Sequence, residues 1–202
     1  MKSGLFAASI VVGISAFAIA ADTSTVTQDD GTTARMVADM VSSRHISHPA
    51  IDDKISERLL NRYVDIWDPQ KLYFLQSDID DFQTSGRLLD DQIRAGDVTF
   101  ASKVFNLYQV RMAERAGMIS KLIDTEHDFT VDEEMVMDPD DLDWAKTESE
   151  LAERWRKRIK FDLLILKLDD KEIADARTRL HKRYEGNRNL MQQTEGHEIL
   201  EL

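Results

Sequence analysis

Residues 62–82 decide the fold class; they read RYVDIWDPQKLYFLQSDIDDF. The first part of this stretch continues a helical apolar pattern, and its single proline ends that helix. The apolar and aromatic run from Lys71 to Gln76 then predicts a buried connection. Ser77, with Asp80 three residues later, predicts the capped start of another helix. Two helices joined by a buried connection are typical of an all-α domain.

The same 3.6-residue period continues in both directions from this stretch. Before it, we expect a helix over residues 33–44 whose buried face carries Met36, Val37, Met40 and Val41. A second helix, capped by Asp52, follows, and its predicted buried face carries Ile55, Leu59, Tyr63, Ile66 and Trp67. After it, we expect a helix that is interrupted near Gly86 and stops at Gly96, then helices over residues 98–124, 147–168 and 169 or 170 to 193. The sequence thus predicts an all-α, irregular domain of five to seven helices over residues 32–195.

Composition excludes several classes of protein. The chain has 202 residues, only 8 Gly and 3 Pro, and no Cys. So few turn-forming residues argue against an all-β sandwich, and the lack of Cys excludes disulfides and thiol catalysis. The net charge of -12 disfavours nucleic-acid binding, because such a chain repels phosphates.

The N-terminus has the pattern of a secretory signal peptide. Lys2 is the only charged residue before Asp22, the run from Gly4 to Ala21 is apolar or small, and Ala18 and Ala20 suit a signal peptidase. We expect cleavage after Ala20, a flexible lead-in over residues 21–31, and an exported protein without stable membrane insertion after cleavage. The alternative is an uncleaved membrane anchor, since about 18 apolar residues can span a bilayer.

Candidate catalytic and metal sites are weak in this sequence. No serine lies in a Gly-x-Ser-x-Gly elbow or a Ser-x-x-Lys pair. His45 and His48 have a spacing that can bring two imidazoles together, but a zinc site needs three or four ligands. Asp138, Asp140 and Asp143 are close together, yet the loop lacks the Gly and Glu that an EF-hand requires. We therefore predict no catalytic, cofactor or metal residues, and leave open a weak, water-rich calcium contact.

Charge is unevenly distributed along the chain. Residues 124–143 contain ten acidic residues and no Lys or Arg, which predicts a solvated acidic loop. The next helix carries five cations in seven residues (Arg154, Arg156, Lys157, Arg158 and Lys160). Because Trp155 and Ile159 fall on the buried stripe of that helix, we expect the cations to pair with nearby acids within the molecule. The alternative is a docking surface for a neighbouring domain or partner.

Two segments resemble a known family. Residues 62–82, quoted above, closely resemble the N-terminal helical domain of bacterial tail-specific (carboxy-terminal processing) proteases. Trp155 followed by Lys160-Phe161-Asp162-Leu163-Leu164-Ile165-Leu166-Lys167-Leu168 does so too, as does the Arg-Ala-Gly-Asp step at residues 94–97 before a long helix. The resemblance covers about residues 35–195, nearly the whole mature chain.

The resemblance implies a function that the residues alone do not. In that family the helical domain precedes a PDZ domain and a serine protease domain with a Ser-Lys dyad, and the periplasmic enzymes cut proteins selected by apolar C-terminal tails. None of those motifs occurs in these 202 residues, so no catalytic residue can be assigned here. The resemblance implies that this chain is a platform that holds the PDZ and protease domains, or that binds a substrate or an adaptor. It also implies that the chain alone is inactive, and that residues 196–202 are the truncated start of the next segment. Residues 147–168 and 170–193 are the expected docking helices; the alternative is an independent periplasmic helical binding or scaffold protein.

Overall fold

The computed structural model describes residues 26–44, 46, 50–169 and 172–201, and over these ranges it is all-helical. Within these ranges, seven α-helices follow one another: α1 (Gln28–Arg44), α2 (Asp53–Trp67), α3 (Gln76–Gly86), α4 (Leu89–Ala95), α5 (Thr99–Asp124), α6 (Glu148–Leu168) and α7 (Ile173–Gln193). Two 3-10 turns occupy Pro139–Asp141 and Glu198–Leu200. The predicted all-α fold class is confirmed.

Helix α5 is the central helix of the fold, because it contacts α2, α3, α6 and α7. Its first half enters a core with α2 and α3, which includes Leu60, Trp67, Phe74, Phe82, Val104, Phe105 and Tyr108. Its second half enters a core with α6 and α7, which includes Ile119, Ile123, Leu151, Trp155, Ile159, Leu163 and Leu180. Tyr73, from the connection between α2 and α3, packs against both cores.

Several predicted helix boundaries are confirmed by local hydrogen bonds. The Asp52 carboxylate accepts from the backbone N–H groups of Lys54 and Ile55, and so caps α2. Gly96 ends α4 in the left-handed conformation, with φ of 77°. The Thr147 hydroxyl accepts from the N–H of Glu150 at 3.1 Å and caps α6.

Helix α1 differs most from expectation. It begins at Gln28, not Thr33, because Thr27 and Asp30 form a reciprocal cap in which each accepts from the other's backbone N–H. Residues 28–31 are therefore helical rather than a flexible lead-in. The predicted inward face is also wrong: Met36, Val37, Met40 and Val41 are exposed, whereas Gly31 and Ala38 are buried.

Three smaller corrections concern α2, α3 and α7. Leu59 is exposed, and Leu60 and Val64 take its place in the core. Helix α3 begins at Gln76, and the carboxylate that caps it belongs to Asp78, which accepts from the N–H of Leu75 at 2.9 Å. Neither Ser77 nor Asp80 has that role. Helix α7 begins at Ile173, after Glu172, rather than at position 169 or 170.

Both ends of the described chain pack near the start of α5. The N–H of Val26 donates to the Ser102 hydroxyl at 3.1 Å. Ile199 is fully buried in the first core, and its carbonyl accepts from the Tyr63 hydroxyl at 2.8 Å. Residues 196–201 thus pack with the helices before them.

Some predictions fall outside the described residues: the signal peptide over residues 1–20, the His45–His48 pair and the last residue, Leu202. Among the helices that are described, none combines the length and the apolar character needed to cross a membrane.

The approach of α1 to α4 is set by a contact between two glycines. A Cβ atom added at Gly31 would lie 1.9 Å from the carbonyl oxygen of Gly96, and backbone cannot move aside as a flexible side chain can. Gly31→Ala should therefore loosen α1 by about 2 kcal/mol. Trypsin cleavage after Arg35 and Arg44 should accelerate roughly 30-fold, since cleavage follows the open population.

Gly117→Ala is the matched control, because Gly117 lies inside α5 and an added Cβ there would have open space beyond the helix's own nearby backbone. Alanine there should stabilise the helix by about 0.5–1 kcal/mol. Equal trypsin sensitivity of the two variants would contradict the glycine contact.

Candidate interaction surfaces

The connection between α2 and α3 is built around one buried carboxylate. Asp68 is 1% exposed, and its two oxygens accept from the backbone N–H groups of Leu72 (2.8 Å), Tyr73 (2.8 Å) and Phe74 (2.9 Å). Burial raises the pKa of the Asp68 carboxyl, and the three N–H donors oppose that rise. We call residues 68–75 the Asp68 turn.

Other parts of the chain are fastened to the Asp68 turn. The Trp155 indole N–H donates to the carbonyl of Leu72 at 2.6 Å, which ties the turn to α6. The Lys71 ammonium donates to the carbonyls of Pro139 (2.8 Å) and Leu142 (2.5 Å), at the end of the acidic loop. The turn therefore positions α6 and the acidic loop as well as its own helices.

An apolar groove runs beside this turn, between the end of α2, α5, α6 and α7. Its volume is about 480 Å³, within the usual range for ligand pockets. Its walls are mainly apolar and aromatic (Ile66, Trp67, Leu72, Tyr73, Tyr108, Met112, Trp155, Tyr184, Leu190 and Met191), and its polar members are Asp68, Gln70, Arg158 and Asn187. We call it the aromatic groove.

Helix α1 presents the other prominent apolar surface. Its outer face carries Met36 (61% exposed), Val37 (55%), Met40 (55%) and Val41 (36%), while its inner face lies on α4. Four large apolar side chains at adjacent positions of one helix form a contiguous patch rather than scattered exposure. We call it the α1 face. The helices proposed from sequence expose fewer large apolar residues: Ile165 and Leu168 on α6, and Leu190 on α7.

The cations of α6 hold the acidic loop, as predicted. Arg156 and Lys160 both form ion pairs with Glu133, at 2.7 Å each, and these lower the pKa of Glu133 to about 2. Lys157 donates to the carbonyl of Glu134 at 3.0 Å, and Arg154 donates to that of Asp143 at 2.7 Å. The intramolecular ion-pair network is confirmed, and most of these cations are already engaged within the chain.

The structure brings one serine and one lysine together, a pairing that no sequence motif signalled. The Lys103 ammonium on α5 donates to the hydroxyl of Ser85 on α3, and that hydroxyl donates to the carbonyl of Asp81. Both contacts lie on an exposed helical surface. A nucleophile needs a base that accepts its proton, whereas here the lysine acts as donor and the serine proton points to a carbonyl. The pair is a surface contact between α3 and α5.

Among the acidic-loop residues considered as metal ligands, Asp138 has a structural role. Asp138 caps the 3-10 turn by accepting from the N–H of Asp140 at 3.0 Å. His127 contacts the carbonyl of Leu122, and His181 contacts Asp124. Within the described ranges, no group of three or more His, Asp or Glu side chains is placed to hold a metal ion.

Comparison with known proteins identifies the family. The sequence model described as "Tail specific protease N-terminal domain" matches residues 36–202, which is most of the chain. The chain belongs to the tail-specific protease N-terminal domain family. The resemblance stated from sequence is thereby confirmed.

A curated relative agrees with this family assignment. The tail-specific protease of Haemophilus influenzae is 30% identical over 163 residues, which are 80% of this chain. The match covers 24% of that relative, so this chain spans about a quarter of its length. In this tail-specific protease N-terminal domain, the two segments that carried the resemblance meet in space, because Trp155 of the second donates to Leu72 of the first.

Sequence reasoning did not find the aromatic groove or the α1 face. Tyr108 and Tyr184 lie at regular positions in apolar helical stripes, so the pattern gave them the same role as core residues. Only the packing of α7 across α5 and α6 leaves an opening beside them. The apolar stripe of α1 was likewise predicted to be buried but is exposed, because periodicity identifies an apolar face without showing whether another element covers it.

The Asp68 turn yields a stability prediction. Asp68→Asn replaces one accepting oxygen by an NH₂ group, which faces a backbone N–H and leaves it unsatisfied. We expect a loss of about 3 kcal/mol in the free energy of unfolding, measured by urea denaturation. Asp65→Asn, on the exposed side of the same helix, is the control and should change stability by less than about 0.5 kcal/mol. Equal effects of the two substitutions would mean that the turn does not depend on the carboxylate.

Proposed function

We propose that this chain is the N-terminal helical platform of an exported, periplasmic tail-specific serine endopeptidase, which degrades or processes proteins from apolar C-termini. Membership of the family and the quarter-length match to the Haemophilus influenzae protease support this proposal. The platform holds the PDZ and protease domains, and the chain alone does not cut peptides.

The α1 face is the observation that carries the docking role. Its apolar side chains lie on a helix that the Gly31–Gly96 contact holds close against α4, so the face is presented by a fixed element. Removing such side chains from water contributes about 25 cal/mol per Å² of apolar surface. The α1 face is therefore the docking surface, in place of α6 and α7.

Docking is tested with this chain and the part of the Haemophilus influenzae protease outside the matched region, each shown to be folded by circular dichroism. We expect the two to bind in titration calorimetry, and the mixture to cleave a reporter with an apolar C-terminus that this chain alone leaves intact. Met36→Ser with Met40→Ser should weaken binding at least tenfold, because both lost side chains lie in the contact.

Leu168→Ser with Val131→Ser is the control pair, since both residues are exposed and lie off α1. It should leave binding unchanged. Cleavage by the isolated chain would overturn the proposal. A failure to bind would favour the alternative, an independent periplasmic helical binding or scaffold protein.

Export is tested separately by expressing the full chain in a Gram-negative bacterium and isolating it from the periplasm. Mass spectrometry should give a mature N-terminus at Ala21. A protein that retains Met1 and stays in the cytoplasm would contradict export.

A further inference from the structure

Two of the tyrosines that line the aromatic groove have hydroxyl groups that the described residues leave unpartnered. Tyr108 is 7% exposed and Tyr73 is half-buried, and both line the groove. In the described part of the chain, neither hydroxyl has a hydrogen-bond partner, whereas the Tyr184 hydroxyl donates to Asp162 at 3.2 Å. Burial raises the pKa values of Tyr73 and Tyr108, so both remain protonated donors at neutral pH.

A cation with weak partners lies in the same wall. Arg158 contacts Asp162 and Gln70, each at 3.4 Å, while Asp162 makes a shorter contact of 2.8 Å with Arg183. The one carboxylate in the groove lining, Asp68, already accepts three backbone N–H groups. The groove therefore combines apolar walls with one guanidinium group, that of Arg158, whose contacts within the chain are long.

The groove adjoins further clefts on two sides. It shares Leu72 and Arg158 with a cleft between α6 and the acidic loop, and Tyr73 and Tyr184 with a cleft between α5 and α7. Arg158 thus lies along a path between clefts rather than at a closed end. A bound chain that passes through would meet it with a side chain and not with its terminal carboxylate.

We infer that the aromatic groove binds an internal polypeptide segment of a partner protein in which large apolar side chains flank one acidic residue. The apolar side chains contact the aromatic walls, the carboxylate pairs with Arg158, and backbone carbonyls accept from the tyrosine hydroxyls. This inference rests on the proposed function, since the segment would belong to a substrate or adaptor of the protease.

The test uses the full mature chain and a peptide acetylated and amidated at its ends, composed of leucine and phenylalanine around one glutamate. Two of the three tryptophans, Trp67 and Trp155, line the groove, so tryptophan fluorescence reports binding. We expect saturable binding that weakens about tenfold when glutamine replaces the glutamate. Arg158→Gln should remove that difference between the two peptides.

Leu190→Ser tests the apolar wall, and Leu168→Ser is its control. Both leucines are exposed (61% and 71%), but only Leu190 lines the groove. Leu190→Ser should weaken binding of the glutamate peptide at least fivefold, and Leu168→Ser should not change it. The Met36 and Met40 variants should also leave it unchanged, which separates this inference from the docking proposal.

Three results would overturn the inference. The first is the absence of any fluorescence change at millimolar peptide. The second is equal affinity for the glutamate and glutamine peptides. The third is a Leu190→Ser variant that alters self-association, or binding to the rest of the protease, without altering peptide binding. That result would assign the groove to a second copy or to the parent enzyme.

Discussion

The buried Asp68 carboxylate, with its three backbone N–H donors, is the interaction on which the rest of the structure depends. It fixes Leu72, Tyr73 and Phe74 in successive positions after the end of α2. Phe74 enters the first core, and Tyr73 contacts both. Because Trp155 bonds to the same turn, α6 is oriented by it as well. A short loop thereby joins the two cores, to both of which α5 also contributes.

The Asp68 turn and the cations of α6 together hold the acidic loop in place. The ten acidic residues of positions 124–143 would repel one another as a free loop, but Glu133 and several backbone carbonyls are held by cations of α6. Lys71 fixes the far end of the loop. The acidic loop is therefore held in one position on the surface. Arg158, another cation of α6, instead lines the aromatic groove.

Much of the fold could be predicted from sequence, because local signals and apolar period agree there. The caps at Asp52 and Thr147, the stop at Gly96 and the buried stripe of α6 are local features, and each is confirmed. The predictions are wrong where contacts between distant parts of the chain determine which side chains are buried. Helix α1 buries glycine and alanine because its backbone must approach that of α4, which leaves its large side chains outside. The aromatic groove depends on the relative placement of four helices, and no single window of sequence contains that information.

The contacts at the two ends of the described chain have a consequence for its architecture. Val26 is held by Ser102, and Ile199 lies against Tyr63, whose hydroxyl also reaches the carbonyl of Ala101. The first and last described segments therefore lie close together, beside the first turn of α5. A short linker could join these two ends, and new ends could be opened in a distant loop. The result would be a circular permutant with the same packing.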